Sequence, residues 1–321
     1  MQVLVTGAFG NVGESTLIAL LKQGYYVRCF DLPTKTNEKK QAELEKLGDF
    51  QTVWGDIRDF EAVSMAALDM HAIIHLAAII PPASDENPEL AYEVNVGGTL
   101  NLLKAAKEKG AIPKFIYASS VATYGHCKGD GPPKTASDPQ HATDPYTEHK
   151  IECERLVKES DLPWTILRFG VVTPLAMGPD IDPIMFEIPL EQRFEFVHTR
   201  DIGLACANAV EADTMGKILL LGGGESCRMS YREFVTDMLE TMGVGMLPES
   251  AFKQPECDAD WFHTDWMDTE ESQRILKYQQ HDFKDFLEEY KELAGVKRHL
   301  AKIFRPLIRR QLLAKSPYYD G

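Results

Sequence analysis

Short apolar runs alternate with amphipathic stretches through the first half of the 321-residue chain. The amphipathic stretches repeat apolar residues every three or four positions, as helices do, whereas the runs are rich in β-branched and aromatic residues. Strand-like runs lie at residues 1–7, 26–32, 50–57, 72–78, 114–120 and 164–172, and helix-like stretches at 11–24, 59–68, 87–110 and 146–160. Because parallel strands buried on both faces read as continuous apolar runs, we predict an α/β fold with a doubly wound parallel sheet.

The second half of the chain is less regular and predicts a smaller C-terminal substrate-binding lobe. Residues 194–211 and 216–223 are typical of segments that return to the main sheet, and 230–243 and 283–295 of surface helices. We therefore divide the chain into a main domain, a substrate-binding lobe and a basic amphipathic tail, at residues 1–174, 175–295 and 296–321.

A glycine-rich turn follows the first predicted strand. Gly7, Gly10 and Gly13 stand three residues apart, between that strand and the first helix. Glycines at this spacing permit a tight turn, a close approach of the backbone to a pyrophosphate, and close packing of the helix on the strand. The start of the helix adds N–H groups and the positive end of its dipole. Together these features predict a dinucleotide-binding site.

The end of the second predicted strand indicates which dinucleotide binds. Asp31 stands there, 18 residues after Gly13. A carboxylate at this position accepts hydrogen bonds from the adenosine ribose and repels a 2′-phosphate. We therefore predict NAD rather than NADP, although Arg28 and Lys35 stand close enough in sequence to keep NADP open.

Several further motifs occur in an order that is typical of one family. They are GDIRD from Gly55, HLAA from His75, NVGGT from Asn95, SSVATYG from Ser119, FVHTRDIG from Phe196 and LLLGGGES from Leu219. With the glycine turn, these motifs resemble the extended short-chain dehydrogenases/reductases of the NAD-dependent epimerase/dehydratase type, over roughly residues 1–290. The resemblance implies a Rossmann domain and NAD as the cofactor.

The resemblance also implies which residues contact NAD. GDIRD resembles the family's adenine-contacting segment, and HLAA the turn beside the ribose and the nicotinamide. The predicted cofactor-binding residues are Gly7, Phe9, Gly10, Asn11, Val12, Gly13, Asp31, Asp56, Ile57, Leu76, Ala77, Ala78, Asn95, Ser119, Tyr146, Lys150 and Phe169. No metal site is predicted.

Two stretches read Tyr-x-x-x-Lys, the pair that performs proton transfer in that family. Tyr124 and Lys128 lie among glycines and prolines, where no helix is expected. Tyr146 and Lys150 begin a predicted helix after Pro145, so the lysine lies one turn beyond the tyrosine on the same face. Its charge is expected to lower the pKa of a phenol that is otherwise about 10. We assign Tyr146 and Lys150 as catalytic.

The motif SSVATYG supplies a third catalytic group by resemblance. Ser120 lies four residues before Tyr124, where the family has its catalytic hydroxyl, and Ser119 is expected to lie beside the cofactor. In the predicted mechanism the Tyr146 phenolate removes the proton of a secondary alcohol while hydride passes to NAD. Lys150 lowers the pKa of the phenol and holds the nicotinamide ribose, as in the family, and Ser120 orients the substrate oxygen.

The segment after the sixth predicted strand bears on the substrate. Nucleotide-sugar enzymes of the family commonly have an asparagine there that contacts the diphosphate, but this chain reads RFGVVTP, with Val171 in that place. A valine side chain cannot donate a hydrogen bond to a phosphate. The next segment, 175–196, is acidic and apolar, with Arg193 as its only basic residue.

These features favour one function and leave two alternatives. We predict an NAD-dependent oxidoreductase that interconverts a secondary alcohol and a ketone on a small or moderately apolar substrate. The first alternative is a sugar or nucleotide-sugar epimerase/dehydratase that uses tightly bound NAD. The second is a non-catalytic NAD-sensing protein, which would have no need of Ser120, Tyr146 and Lys150.

Composition indicates the setting in which the protein acts. The chain has 49 acidic and 34 basic residues, and a net charge of −15 disfavours nucleic-acid binding. Its six cysteines are scattered, which indicates reduced thiols and no structural metal. No apolar run approaches the ~20 residues of a membrane span, and the chain opens directly with a strand-like run rather than a signal peptide. We predict a cytoplasmic protein.

The C-terminal tail and two long helices suggest partners. Residues 296–315 hold seven Lys and Arg and no acidic residue, and the apolar residues of one helical face are Leu300, Ile303, Phe304, Leu307 and Ile308, then Leu312. Such a tail docks on the acidic body of this chain or a partner subunit, the favoured alternative, or makes weak contact with a membrane surface. The family resemblance also implies a homodimer, packed through helices equivalent to 88–109 and 146–159.

Overall fold

A seven-stranded parallel sheet forms the centre of the chain. The structure, a computed structural model, describes residues 1–108, 112–175 and 182–320, apart from the side chain of Lys297. In spatial order the strands are β3 (Gln51–Trp54), β2 (Tyr26–Asp31), β1 (Gln2–Thr6), β4 (Ala72–His75), β5 (Lys114–Ser120), β6 (Trp164–Phe169) and β9 (Lys217–Leu221). The order reverses between β1 and β4, which leaves a crevice at their carboxyl ends where ligands of such sheets bind.

Helices cover both faces of this sheet. On one face lie α1 (Asn11–Lys22) and α8 (Thr199–Asn208), and on the other α3 (Phe60–Ala67), α6 (Gly98–Glu108) and α7 (Pro145–Lys158). Adjacent strand residues alternate between the faces, so Val5 of β1 belongs to the first core and Leu4 to the second. The predicted doubly wound α/β fold is confirmed.

The helix predicted over 87–110 is formed in three parts. They are α5 (Pro88–Tyr92), a π-helical turn (Glu93–Gly97) and α6. The π-helical turn contains Asn95, and such turns frequently occur at functional sites. The predicted last residues, 109 and 110, lie outside the described residues.

A smaller lobe with an aromatic core follows the main sheet. Its elements are β7 (Val171–Val172), β8 (Arg193–Val197), β10 (Arg228–Ser230), α9 (Tyr231–Thr241), α11 (Phe283–Ile303) and α12 (Arg305–Leu313). Helix α10 (Glu270–Leu276) instead packs on the core of the main sheet, beside β9. Of the two segments expected to return to the main sheet, 216–223 does so as β9. The other, 194–211, instead contributes most of β8 to a separate three-stranded sheet and α8 to the face of the main one. Residues 176–181 of the acidic and apolar segment lie outside the described residues.

Three described α-helices have no counterpart among the predicted elements. They are α2 (Lys35–Leu44), α4 (Ala83–Glu86) and α10. Only Leu44 of α2 is buried, so this helix depends on good helix formers and on the cap that Thr34 provides to the Asn37 N–H. Among the described residues, no helix combines the length and apolarity that crossing a bilayer requires.

Candidate active site

The glycine turn is packed against the turn that follows β4. Gly7 has a φ of +66°, and a Cβ there would lie 2.8 Å from the Ala77 nitrogen. A Cβ on Gly13 would lie 2.1 Å from the Gly7 oxygen, because α1 begins directly under the turn. No side chain caps the N-terminus of α1, where Asn11 and Val12 lie in the first turn. Their N–H groups and the close approach of backbone suit a pyrophosphate.

Asp31 ends β2 beside this turn. Its carboxylate accepts hydrogen bonds from the Phe9 N–H at 2.9 Å and the Leu32 N–H at 2.8 Å. Asn37 Nδ2 donates to the same carboxylate at 3.1 Å. Burial raises the pKa of Asp31, while the backbone donors act in the opposite direction. Since the Phe9 ring packs on Trp54, with 5.3 Å between ring centroids, only the backbone of Phe9 is directed to the carboxylate.

The basic residue nearest to Asp31 along β2 is turned away from it. Arg28 Nη1 donates to the carbonyl oxygens of Ala66 and Leu68, each at 2.9 Å, at the end of α3. Its guanidinium therefore binds the carbonyl oxygens at the end of α3 and is not directed toward the place of a 2′-phosphate. Lys35 is exposed at the start of α2. The position of Arg28 favours NAD.

The predicted adenine and ribose segments line the same crevice. Asp56 forms an ion pair with Arg58 at 2.7 Å, and the hydrogen bonds from Arg58 lower the pKa of Asp56. Ile57 is buried against Gly98. Across the crevice, the Leu76 N–H donates to Thr6 O at 3.2 Å.

Three further predicted cofactor residues differ in their surroundings. Ala77 donates its N–H to Thr6 Oγ1 at 3.3 Å, and Ala78 is the next residue of the same turn. Phe169 ends β6, partly buried against the core that contains α1 and α8. All three lie at carboxyl ends of strands, where the cofactor crevice opens.

Asn95 holds the loop after HLAA with both polar atoms of its side chain. Its Oδ1 accepts from the Ile79 N–H at 2.7 Å, and its Nδ2 donates to Ile79 O at 2.9 Å. Nδ2 also lies 3.4 Å from His149 Nδ1. Asn95 thus holds the loop in place, and its contact with the cofactor stays a prediction.

Tyr146 stands at the start of α7, directly after Pro145. Asp144 caps this helix through the Thr147 N–H at 2.8 Å, and Thr147 Oγ1 accepts in return from the Asp144 N–H. Burial raises the pKa of the Tyr146 phenol to about 12, whereas its interaction with the Ser120 hydroxyl lowers it. Ser120 Oγ also accepts from the Ala122 N–H at 3.1 Å, which orients it. The structure thus brings the predicted hydroxyl and the predicted tyrosine together.

Lys150 lies one turn further along α7 and is buried. Its Nζ donates to Ala118 O at 2.6 Å and lies 5.7 Å from the Tyr146 ring centroid. Burial lowers the pKa of Lys150 to about 8. Burial is the largest influence on the pKa of Tyr146, and the lowering of that pKa by the Lys150 charge stays a prediction.

The other Tyr-x-x-x-Lys stretch does not form such a pair. Tyr124 ends a short 3₁₀ helix, and Gly125 follows with a φ of +75°, so the chain turns before it reaches Lys128. Lys128 forms an ion pair with Asp258 at 2.9 Å. The Tyr124 hydroxyl donates to Thr135 O at 2.7 Å.

A buried charge cluster lies beside the predicted catalytic residues of α7, and no sequence motif predicted it. Glu154 is on the same face of α7 as Lys150, and Arg168 on β6 binds it with two hydrogen bonds of 2.8 and 2.7 Å. The Ser119 hydroxyl donates to Glu154 at 2.6 Å, and Arg168 Nη1 donates to the Tyr124 hydroxyl. Ser119 is thus engaged with this cluster. The available signal was the spacing of four from Lys150 to Glu154.

A buried histidine on β4 was also missed. His75 Nδ1 lies 2.8 Å from Thr6 Oγ1, and Nε2 lies 2.9 Å from Thr99 Oγ1. Burial lowers the pKa of His75 to about 3, so this histidine is neutral at ordinary pH. It fixes the HLAA turn against β1 and α6. The motif alone gave no sign of its two hydroxyl partners.

Every arginine in the described segment from residue 182 to 290 pairs with a carboxylate. The pairs are Arg193–Asp265, Arg200–Glu289, Arg228–Glu195, Arg232–Glu191, Arg232–Glu249 and Arg274–Glu271. Arg193 also stacks on Trp266 and donates to Gly131 O. Arg193 and Arg228 are held by the buried carboxylates Asp265 and Glu195, whereas the side chains of the other three arginines are more exposed.

The chain resembles known proteins along its first half and in its fold. The model of the NAD dependent epimerase/dehydratase family matches residues 3–180. A 3β-hydroxysteroid dehydrogenase/Δ5→4-isomerase of Mycobacterium tuberculosis is 35% identical over 49% of this chain and 42% of its own length. A UDP-glucose 4-epimerase of Rhizobium meliloti is 35% identical over 50% of this chain and 47% of its own. The chain spans about half the length of the curated relatives it matches.

A solved structure extends the likeness to the smaller lobe. The UDP-glucuronic acid 4-epimerase of Bacillus cereus, in complex with UDP-glucuronic acid and NAD, matches with a TM-score of 0.76 at 22% identity. The match covers 91% of this chain and 98% of that one, and at this identity it shows the fold alone. Since the family model matches more than half of its residues, the chain belongs to the NAD-dependent epimerase/dehydratase family, which confirms an enzyme with NAD as its cofactor.

Proposed function

We propose that the protein is an NAD-dependent oxidoreductase that interconverts a secondary alcohol and a ketone on a small or moderately apolar substrate. The observation that carries the substrate class is the pairing of every described arginine between residues 182 and 290 with a carboxylate. Freeing such a pair to bind a phosphate would leave a carboxylate unpaired, which is costly for buried Glu195 and Asp265. Val171, which stands in the place of the family's diphosphate-contacting asparagine, has no side-chain group that could donate a hydrogen bond to a phosphate.

The described residues fit NAD at the glycine turn. Gly7 and Gly13 admit no Cβ, because it would clash with the backbone of Ala77 and of Gly7, so the turn keeps the tight backbone that a pyrophosphate site uses. Asp31 lies at the end of β2, where ribose hydroxyls would reach it. When bound, NAD would accept or return hydride at its nicotinamide ring. Asp56, Ile57, Leu76, Ala77, Ala78 and Phe169 form the rest of the proposed cofactor crevice.

The catalytic residues of the chain hold the substrate oxygen and move its proton. Ser120 donates to that oxygen, and the Tyr146 oxygen takes the alcohol proton or returns it to the ketone. Lys150, charged below its pKa of about 8, stabilises the phenolate and offers its ammonium to the ribose hydroxyls. Asn95 keeps the loop at Ile79 in place beside them.

An epimerase or dehydratase acting on a sugar derivative is the second candidate. It is supported by the similarity to a UDP-glucose 4-epimerase and by the fold shared with a UDP-glucuronic acid 4-epimerase. The lead proposal is supported by the similarity to a dehydrogenase whose name specifies a 3β-hydroxysteroid, an apolar secondary alcohol. A non-catalytic NAD sensor is disfavoured by Ser120, Tyr146 and Lys150 converging on one site.

Cofactor retention separates these candidates. Denaturing the purified protein and quantifying released NAD should give little nucleotide, and added NAD should bind reversibly in the micromolar range. An enzyme that exchanges its cofactor at each turnover requires this behaviour. Near-stoichiometric NAD, retained through purification, would instead support transient internal oxidation and so the epimerase.

We also propose a cytoplasmic homodimer. The helices equivalent to 88–109 and 146–159 would form a four-helix bundle, and Tyr92 and Leu100 are exposed apolar residues there. Sedimentation at micromolar concentration should give a dimer, and a monomer would refute it. Replacing Leu100 with Glu should shift the dimer toward monomer, whereas Met65→Glu, on another helix, should not. The other predicted partner, a membrane surface at the C-terminal tail, is independent of the catalytic chemistry.

A further inference from the structure

Six large apolar side chains project into solvent from the last two helices. Leu293, Val296, Leu300, Ile303, Phe304 and Leu307 are each between 50% and 75% exposed. Val296, Leu300 and Ile303 recur at spacings of four and three on the helical stretch that follows Gly295, so these three share one side of it. We name the six exposed residues together the C-terminal patch. Contiguous exposed apolar residues of this kind mark interaction surfaces.

The opposite side of α12 packs on the smaller lobe, and this packing leaves the C-terminal patch facing solvent. Leu312 is buried, and Ile308 and Leu313 pack on the core of the smaller lobe. Arg309 Nη1 donates to the carbonyl oxygens of Gly245 at 2.9 Å and Met246 at 2.6 Å. Part of the tail therefore docks on its own body, as favoured above, but through carbonyl oxygens and apolar contacts, and it leaves the patch uncovered.

Basic residues flank the patch. Residues 296–315 contain seven Lys and Arg and no acidic residue. Lys302, Arg305 and Arg310 are exposed and form no ion pair with the described acidic side chains. Apolar side chains beside exposed cations are the features that place a helix in the interface of an anionic membrane.

The charge pattern and backbone favour a bilayer over a second copy of the chain. Pairing the patch with itself would set residues 296–315, with seven Lys and Arg and no acidic residue, against the same basic segment of a second copy. The backbone is also interrupted at Gly295, with a φ of +47°, and at Phe304, where α11 ends. These breaks prevent the long straight seam that a helix pair needs, whereas they allow two short helices to lie on a flat surface.

We propose that the C-terminal patch is a membrane-contact surface, which inserts Leu300, Ile303, Phe304 and Leu307 among the headgroups of an anionic bilayer while Lys302, Arg305 and Arg310 bind lipid phosphates. This contact requires no change in the catalytic site, because the patch contains no residue of that site. It attaches the enzyme peripherally.

Vesicle flotation of the full-length protein tests this proposal. The protein should float with phosphatidylcholine vesicles that contain phosphatidylglycerol, should not float with phosphatidylcholine alone, and should be released by high salt. The triple variant Ile303→Ser/Phe304→Ser/Leu307→Ser should bind at least about tenfold more weakly. Lys302→Gln/Arg310→Gln should weaken binding to a similar degree.

A matched control uses equally exposed apolar residues elsewhere. Met65→Ser/Met215→Ser should float as the wild type does. Circular dichroism and NAD binding of each variant must match the wild type, so that loss of flotation does not reflect unfolding. Absence of flotation with anionic vesicles, or unchanged flotation of the triple variant, overturns the proposal. Dissociation of an oligomer by the triple variant, without vesicle binding by the wild type, would assign the patch to a second copy.

Discussion

At the scale of single residues, burial controls the proton chemistry of the proposed site. It raises the pKa of Tyr146 to about 12 and lowers that of Lys150 to about 8, so at neutral pH the phenol is protonated and the amine is charged. The protonated phenol suits ketone reduction directly. Alcohol oxidation instead requires loss of that proton, which the Ser120 hydroxyl assists and which the Lys150 charge is expected to assist.

Replacing Tyr146 with Phe tests its role. Turnover should fall about 10²–10⁴-fold, the usual contribution of a general acid or base, while NAD still binds. Tyr124→Phe is the matched control, because its hydroxyl binds Thr135 and Arg168 rather than a substrate. That control should lose stability of about 1 kcal/mol but keep most activity. If Tyr146→Phe retained most of its activity, the assignment would be wrong.

The pH profile should follow the phenol. The kcat/KM for alcohol oxidation should rise about tenfold per pH unit from about pH 6 to about pH 8, because the phenolate fraction grows in proportion. Above about pH 8 the slope should flatten as Lys150 loses its charge. Steady-state rates in overlapping buffers measure this. A flat profile below pH 8 would show that the Tyr146 proton does not limit oxidation.

Asp31 should determine the choice of dinucleotide. Asp31→Asn removes a charged acceptor for ribose hydroxyls, so NAD should bind about 10- to 100-fold more weakly and the preference over NADP should narrow. Titration calorimetry with both nucleotides measures the change. Glu38→Gln, exposed on the neighbouring α2, is the control and should alter neither affinity. An unchanged preference in Asp31→Asn would remove Asp31 from the ribose site.

At the scale of secondary-structure elements, helix α7 connects the proposed catalytic residues to the buried core of the main sheet. One face carries Tyr146, Lys150 and Glu154 at intervals of four, and Glu154 is fixed to β6 by Arg168. The Arg168 contacts lower the pKa of Glu154 despite its burial. This cluster holds the helix in register with β5, the strand that presents Ser120.

Removing one member of this buried cluster should lower the free energy of unfolding far more than removing one member of an exposed ion pair would. Arg168→Met leaves a buried carboxylate without its main partner, so the free energy of unfolding should fall by about 3–5 kcal/mol. The double variant Glu154→Gln/Arg168→Met should lose less. Because a lowered carboxyl pKa stabilises only above the folded-state value, the penalty of Arg168→Met should shrink as pH falls. Denaturant unfolding measures both free energies. A lower free energy of unfolding for the double variant than for Arg168→Met would contradict this prediction.

The same elements show what the sequence could predict and why. Continuous apolar runs predicted the sheet, because parallel strands are buried on both faces, and the spacing from Tyr146 to Lys150 predicted one helical face. The sequence did not reveal the burial of Glu154, since an acid on a helix is usually solvated and its partner Arg168 lies on another element. The polar α2 was missed because its residues bury almost nothing.

At the scale of the whole molecule, the main sheet and the smaller lobe have different proposed roles, in cofactor binding and in substrate binding. The main sheet supplies a crevice for NAD, and the strands β8 and β10 of the smaller lobe carry arginines that are paired with buried carboxylates. A lobe organised in this way offers few polar groups to a substrate and favours an apolar one. The C-terminal patch faces solvent from the end of that lobe and is available for a membrane.

The most direct test of the account is net cofactor reduction across a panel of substrates. The protein is mixed with NAD and either apolar secondary alcohols or UDP-sugars, and NADH absorbance is followed beside the Tyr146→Phe variant. The wild-type protein should form NADH with at least one apolar secondary alcohol, and the Tyr146→Phe variant should form none. Interconversion of a UDP-sugar without net NADH, or equal NAD binding with no turnover by either protein, would contradict it.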